Sequence, residues 1–425
     1  MSFRLSYTSP IPFLLLLMAG SASRATGQGK HQEEYDDADP WTGFEQTEPG
    51  PDSAAVARLL IALGAADGLV CRFAVASLGN NWHGGNGELE SGLLQDEAPE
   101  ASLHNRLNHQ ISDPKALALL ADALGNPEPC TRRAAARLLG NGKKPEAVNL
   151  LRTQLRSSQV RTREAAALGL AEAEDESAFR DLTATLQDRE PSVARMAAYA
   201  LGELEDARAV KPLGALLRSH DPASRAAAAR ALGEIEDIRA VEALTPLAGD
   251  PDIRVRLSAI EALGQLEDYR AAAALSHALR DQDARVRRAS AEALGNVESR
   301  QGAEPLAQSL DDPDPVVRRL AAQALGELKN LKRAPPRLVT ALTDKDPVLA
   351  MLAAQSLGEI GDTTAVPALQ AAYRSSDPHV RFAVVRALAE MDDERVRSTL
   401  TIATKDPDRI VRHTAKEELE DRDDD

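Results

Sequence analysis

Two cysteines and eight histidines are the side chains of this protein best suited to metal or redox chemistry. The histidines are His31, His83, His104, His109, His220, His277, His379 and His413. They are scattered, without the clustered spacing that a set of metal ligands needs, and read as ordinary surface residues. Neither a G-x-S-x-G nucleophile elbow, a Walker loop, an HExxH helix nor a CxxC pair occurs. The glycine-rich run at 80–87 (NNWHGGNG) lacks the lysine of a phosphate loop and reads as a loop. Trp82 and His83 lie within it, and His104 and His109 follow in the stretch to residue 114. A metal or small-ligand site is one reading of that stretch. An inserted loop whose aromatic covers exposed core is the favoured one. No catalytic residue, metal site or cofactor is assigned.

Internal repetition dominates the elements that must position these residues. Aligned on a Leu-Gly pair, the closing residues are Gly140, Ala171, Gly202, Gly233, Gly264, Gly295, Gly326, Gly358, Ala389 and Glu420. Successive spacings are 31 residues, except 32 between Gly326 and Gly358. A divergent eleventh unit closes at Gly79, and residues 80–114 interrupt the register before the next one. The chain is 43% hydrophobic yet only 3% aromatic, as expected of many helices packed through small side chains.

Each unit has the pattern of two helices. The first carries apolar residues at helical spacing, as in EDARAVKPLGALLRS from Glu205. A turn follows at Asp221-Pro222, Asp250-Pro251, Asp312-Pro313, Asp377-Pro378 and Asp406-Pro407. Asp there is expected to cap the second helix and Pro to occupy its first position. The closing Gly suits a left-handed C-terminal cap. Alanines five and two residues before it, such as Ala228 and Ala231, allow neighbouring helices to approach closely. Arg132, Arg163, Arg225, Arg256, Arg287, Arg318, Arg381 and Arg412 recur eight residues before the closing position. Acids such as Asp221, Asp252, Asp283, Asp314, Asp377 and Asp408 stand four residues earlier. Local pairing at the helix start, with hydrogen bonding between repeats, is the expected role of this arginine.

These units resemble HEAT-like repeats of the phycobilisome-lyase type, whose hallmark is V-R-x-x-A-A-x-A-L-G. The resemblance implies an all-α fold, a right-handed α/α superhelix (HEAT-like solenoid) of about eleven two-helix repeats. It runs through residues 115–420, after a divergent N-terminal repeat with inserted loop at 53–114 and before an acidic tail at 421–425. Function is less constrained, because such repeats serve scaffolds, bilin lyases and deoxyhypusine hydroxylase. The hydroxylase resemblance requires paired His-Glu dipeptides, and none of the eight histidines precedes Glu. A lyase-like or hydroxylase-like enzyme, or a structural spacer, stands as the alternative to a binding scaffold.

Residues 1–27 read as a signal peptide: Arg4, the apolar run IPFLLLLMAG, and a small-residue cleavage site before Gln28, or a rival one before Ser23. The apolar run is too short to span a bilayer, so no integral membrane span is expected in the mature chain. Residues 28–52 read as an acidic, disordered linker. Export, to the periplasm or the extracellular space, is the expected localisation. It also favours a disulfide between Cys71 and Cys130, which fall at the starts of adjacent second helices if 80–114 is an insertion. Helix axes about 8–10 Å apart make that bridge feasible without requiring it, and two separately buried thiols are the alternative.

The net charge of −16 argues against a nucleic-acid or anionic-membrane partner. Positions seven and three before the closing residue vary while their neighbours stay apolar, so these i,i+4 pairs should share a solvent-facing stripe. On it lie Arg195, Tyr199, Arg230, Leu257, Arg288, Arg319, Met351, Phe382 and Arg386. Across all repeats the stripe holds seven Arg against four Glu, which predicts a net basic concave face for an acidic or extended protein partner. Arginine with exposed apolar and aromatic anchors is the mixture enriched in binding hot spots.

Overall fold

The structure is a computed structural model that describes residues 53–65, 111–328 and 331–424. The expected signal peptide, the linker to residue 52, Cys71, Trp82, His83, His104 and His109 lie outside the described residues. Two compact units divide the chain, Met1–Ala200 and Leu201–Asp425. Every regular element among the described residues is helical.

Ten second helices contain the ten aligned positions, from Pro129–Asn141 and Val160–Ala173 in the first unit to Pro378–Ala389 and Arg409–Asp424 in the second. First helices are shorter, as in Val210–Leu216 or Ala272–Ala278, and most follow a 3-10 turn. Of the divergent eleventh repeat, one helix, Ser53–Gly64, is described, and it packs against Pro114–Ala123 and Pro129–Asn141. The last helix absorbs residues expected as a tail: Arg422 donates to the carbonyls of Ala389 and Met391, both at 2.6 Å, tying that end to the preceding repeat.

Two leucine columns make the core. In the second unit, first helices contribute Leu213, Leu244, Leu275, Leu306, Leu338, Leu369 and Leu400, all without solvent exposure. The residue before each closing position supplies the facing column, Leu232, Leu263, Leu294, Leu325, Leu357 and Leu388, equally buried. Each buried leucine contributes about 1.5–3 kcal/mol relative to an exposed one. The first unit repeats the scheme with Leu120, Leu139, Leu151 and Leu170.

The closing glycines do not cap their helices. They sit inside them, and the left-handed residue comes three positions later: Lys143, Glu174, Glu205, Glu236, Glu267, Glu298 and Gly361, with φ between 44° and 68°. Glycine is needed instead for close approach. A Cβ on Gly264 would lie 2.9 Å from Ala293 Cβ, and one on Gly358 would lie 2.8 Å from Ala387 Cα. On Gly140 it would stand 2.2 Å from the Gly169 carbonyl oxygen. The small residue two before the closing position, alanine in most repeats, Gly169 and Ser356 in two, is the contact surface for the preceding repeat's glycine, as small size there predicts.

Asp221 and Asp377 cap their helices as expected, accepting from the backbone N–H groups of Ser224 and His379. Asp250, Asp312 and Asp406 do not. The caps there are Asp252, Asp314 and Asp408, two residues further on. The upstream aspartates hold the turn by accepting from the N–H groups of those same caps, at 2.8–2.9 Å.

Two substitutions separate these roles. Gly140→Ala should destabilise by about 1–3 kcal/mol through overpacking, outweighing the helix-propensity gain of about 1 kcal/mol. Glu236→Gly should instead stabilise by about 0.5–1 kcal/mol, because φ of 53° is costly for any residue with a Cβ. Urea denaturation of both variants measures the two signs.

Candidate partner-binding surface

The recurrent arginine is a clamp between repeats. Arg225 donates through Nη1 to the carbonyl of Ser219 at 2.9 Å, securing its own turn. Its Nε and Nη2 reach both oxygens of Asp250 in the next repeat, at 2.9 and 2.8 Å. Arg163–Asp188, Arg287–Asp312 and Arg381–Asp406 repeat this geometry, and Arg256 pairs with Asp281. The partner thus lies 25 residues ahead, and the expected pairing with the aspartate four residues earlier is corrected. That earlier carboxylate is committed to its helix N-terminus, while the guanidinium folds back over the turn. Where Ala194 and Ala350 replace the arginine, Ser219 and Ser375 replace the matching aspartate, whereas Arg132 and Arg318 are kept with Ser157 and Thr343 at the aspartate's place and hold their own turns.

A second tie joins the first helices. Asp237, Asp268 and Asp393 each cap a turn and hold the arginine two residues on. Those arginines, Arg239, Arg270 and Arg395, donate to the carbonyls of Ala207, Ile238 and Thr363 one repeat back, at 3.2, 3.0 and 2.9 Å.

With these arginines spent on architecture, the stripe residues are the ones that vary along the second-helix face. Tyr199, Arg230, Glu261, Glu292, Gln323, Gln355 and Arg386, three residues before the closing position, are all exposed. Arg195, Leu257, Arg288, Arg319, Met351 and Phe382, seven before it, are half-buried. Arg288 and Arg319 reach forward to the caps of the following helices, Asp314 and Asp346, with Nε–oxygen distances of 3.1 and 2.7 Å. Arg386 lies 3.8 Å from Glu390 and 3.7 Å from Glu418.

In the second unit Met351 and Phe382 come together. With Ala383 and Ala387 they floor a groove of about 480 Å3, rimmed by Gln355, Glu359, Arg386 and Glu390. Three stripe residues named from sequence, Met351, Phe382 and Arg386, therefore share one depression. The glutamates of its rim were missed, although LGE after the buried leucine was visible at Glu203, Glu234, Glu327 and Glu359. The two glutamates of the rim lie back over the previous repeat's glycine: a Cβ on Gly326 would be 2.0 Å from Glu359 Oε2, and one on Gly358 2.6 Å from Glu390 Oε2. Desolvation by the surrounding helices, then repulsion from Glu390 and Glu327, raises the Glu359 pKa, with a hydrogen bond from Gln355 opposing. Glu234 is raised in the same way, by desolvation and by Glu203.

The described histidines do not converge. His379 lies 3.1 Å from Asp377 and His413 3.4 Å from Glu417, and no group of three His, Cys, Asp or Glu side chains among the described residues could hold a metal. Cys130 is buried at the start of its second helix. No helix among the described residues is long and apolar enough to cross a membrane.

This architecture of stacked helix pairs with an open second-helix face is that of an α-solenoid. More narrowly, the chain belongs to the HEAT repeats: that family's model matches overlapping stretches 103–171, 117–197, 152–223, 179–263, 211–295, 241–326, 272–350 and 335–420. Among solved structures, a chain from a complex of Kap95p with RanGDP aligns with TM-score 0.53 and 15% identity, over 86% of this chain and 56% of that one. An engineered protein aligns with TM-score 0.46 and 23% identity, over 72% and 94% of the two chains. The CpcE–CpcF complex of phycocyanin lyase from Nostoc sp. PCC7120 aligns with TM-score 0.34 and 25% identity, over 52% and 92%. No curated protein sequence matches the chain.

The most enclosed clamp gives a pH prediction. Desolvation pushes the Asp406 carboxyl up, but hydrogen bonds from Arg381 and Tyr373 prevail and bring it from 3.8 down to about 2. A depressed carboxylate contributes stability that is fully present above its unfolded pKa and lost as pH falls through the folded one. The urea midpoint should therefore fall between pH 4 and pH 2. Asp406→Asn should cost about 3 kcal/mol at pH 7, by leaving the arginine half-buried without a carboxylate, and should flatten that acid limb.

Proposed function

We propose that this protein is an exported protein-binding scaffold that holds an extended partner segment along the second-helix face of its second unit. The observation that carries this reading is the groove in which Met351, Phe382 and Arg386 converge. Its size falls within the range of specific pockets, and its apolar floor beside charged groups has the composition of a protein-binding hot spot. HEAT repeats hold such a face rigid, so little ordering entropy is lost on the scaffold's side when a partner docks. An acidic partner would have to rely on Arg230 and Arg386, since Arg288 and Arg319 are already held by Asp314 and Asp346. Leu257 would extend the contact within the same unit.

In a pull-down from the exported fraction, a partner retained by the native sequence should be lost at least tenfold by the Met351→Ser, Phe382→Ser double variant. Equal retention by a double variant with native helicity would place the site elsewhere.

Export and a Cys71–Cys130 bridge belong to the same proposal, and one preparation from the natural source checks both. N-terminal sequencing should begin near Gln28 or Ser23, and denatured protein should show free thiols only after reduction. A retained Met1 removes export, and equal thiol counts with and without reductant remove the bridge.

A further inference from the structure

The groove lies between glutamates whose charge the protein leaves largely uncompensated. Glu359 makes no ion pair among the described residues and is exposed. Its seat is fixed from below by Gly326, where any Cβ would displace the carboxylate. On either side stand Glu327 and Glu390, close enough for both to act on it electrostatically. Among the described residues Glu327 accepts from a neutral donor, Gln323 Nε2, at 2.9 Å. Glu390 and Glu418 share the single guanidinium of Arg386 at the long distances of 3.8 and 3.7 Å. Two of these carboxylates thus share one arginine, while Glu327 and Glu359 make no ion pair among the described residues. Helices Pro315–Glu327, Pro347–Ile360 and Pro378–Ala389 also end here, adding the partial negative charge of their C-termini. Acids at helix C-termini oppose the local dipole preference, so nothing in helix stability asks for them.

Beside these carboxylates lies an apolar floor, with Phe382 and Met351 half-buried and open to the groove. Apolar surface next to unneutralised negative charge is complementary to a lysine or arginine side chain, which buries a hydrocarbon stem and keeps its head on a polar rim. The Phe382 ring adds cation–π attraction, and a thioether packs adaptably against an alkyl chain. We infer that the groove receives a lysine or arginine side chain from an extended partner segment, its stem over Met351 and Phe382 and its cationic head at Glu359. This rests on the groove reading under Proposed function and reverses the partner charge that the arginine count of the stripe predicts.

The full chain labelled with 13C-methyl methionine supplies the test, with the Met351 methyl identified by its loss in Met351→Leu. It is titrated separately with a synthetic leucine–lysine peptide and with the leucine–glutamate peptide of equal length. The Met351 signal should shift saturably with the lysine peptide, and at least tenfold more weakly with the glutamate peptide. Glu359→Gln should weaken the lysine peptide at least fivefold, and Phe382→Ser should weaken both. Equal or tighter binding of the glutamate peptide overturns the cationic assignment. So does an unchanged lysine affinity in Glu359→Gln, while an effect of Phe382→Ser in that case keeps the groove itself. No Met351 response to either peptide at millimolar concentration overturns the groove reading and this inference together.

Discussion

The contact between each closing glycine and the next repeat's second helix is the constraint on which the rest depends. At Gly264 and Gly358 the neighbouring backbone comes within 3.1 and 2.8 Å of where a Cβ would stand. Helices that approach so closely must present alanine or serine, which is why Ala231, Ala262, Ala293, Ala324, Ser356 and Ala387 recur. Ser356 adds a hydrogen bond to the Ala322 carbonyl at 2.8 Å across the same contact. Close packing brings the two leucine columns into register, and no single repeat could bury its own.

Polar chemistry then secures what the packing brings together. The arginine clamp joins three partners in one side chain: its own turn, twice, and the next repeat's aspartate. Around Arg381 and Asp406 it gains Tyr373, whose hydroxyl donates to the same carboxylate at 2.5 Å. Burial and this acceptor raise the tyrosine's pKa, which favours the protonated hydroxyl as the donor. Partly enclosed pairs of this kind contribute through register as much as through energy, since a broken one leaves a charge with no substitute.

The groove shows how a regular array acquires a distinct place. Met351 and Phe382 occupy positions where other repeats carry arginine, glutamate, alanine, leucine or histidine, and the glutamates around them sit where the glycine rule has cleared space. The same absence of side chains that lets helices pack also seats Glu327, Glu359 and Glu390 in a row one repeat apart. Architecture and candidate function therefore share one determinant.

Much of this was legible in the sequence. The period and the Leu-Gly pair determined the helix pairs, the buried columns and the small residues between helices, because these follow from local spacing. The exposure of Tyr199, Arg230 and Arg386 followed from the same phase. Three matters were decided only by the tertiary structure. Glycine packs rather than caps, because the helix runs on past it until a glutamate turns left-handed. The aspartates expected to cap and those expected to pair exchange roles at Asp250, Asp312 and Asp406, because an arginine's reach depends on where the next repeat stands. The stripe's charge balance changed most: counting residues along one helix face made it basic, but Arg288 and Arg319 are drawn to caps one repeat away. Period and burial are properties of a single segment and can be read from it, whereas the partner of a long charged side chain is set by its neighbours in space.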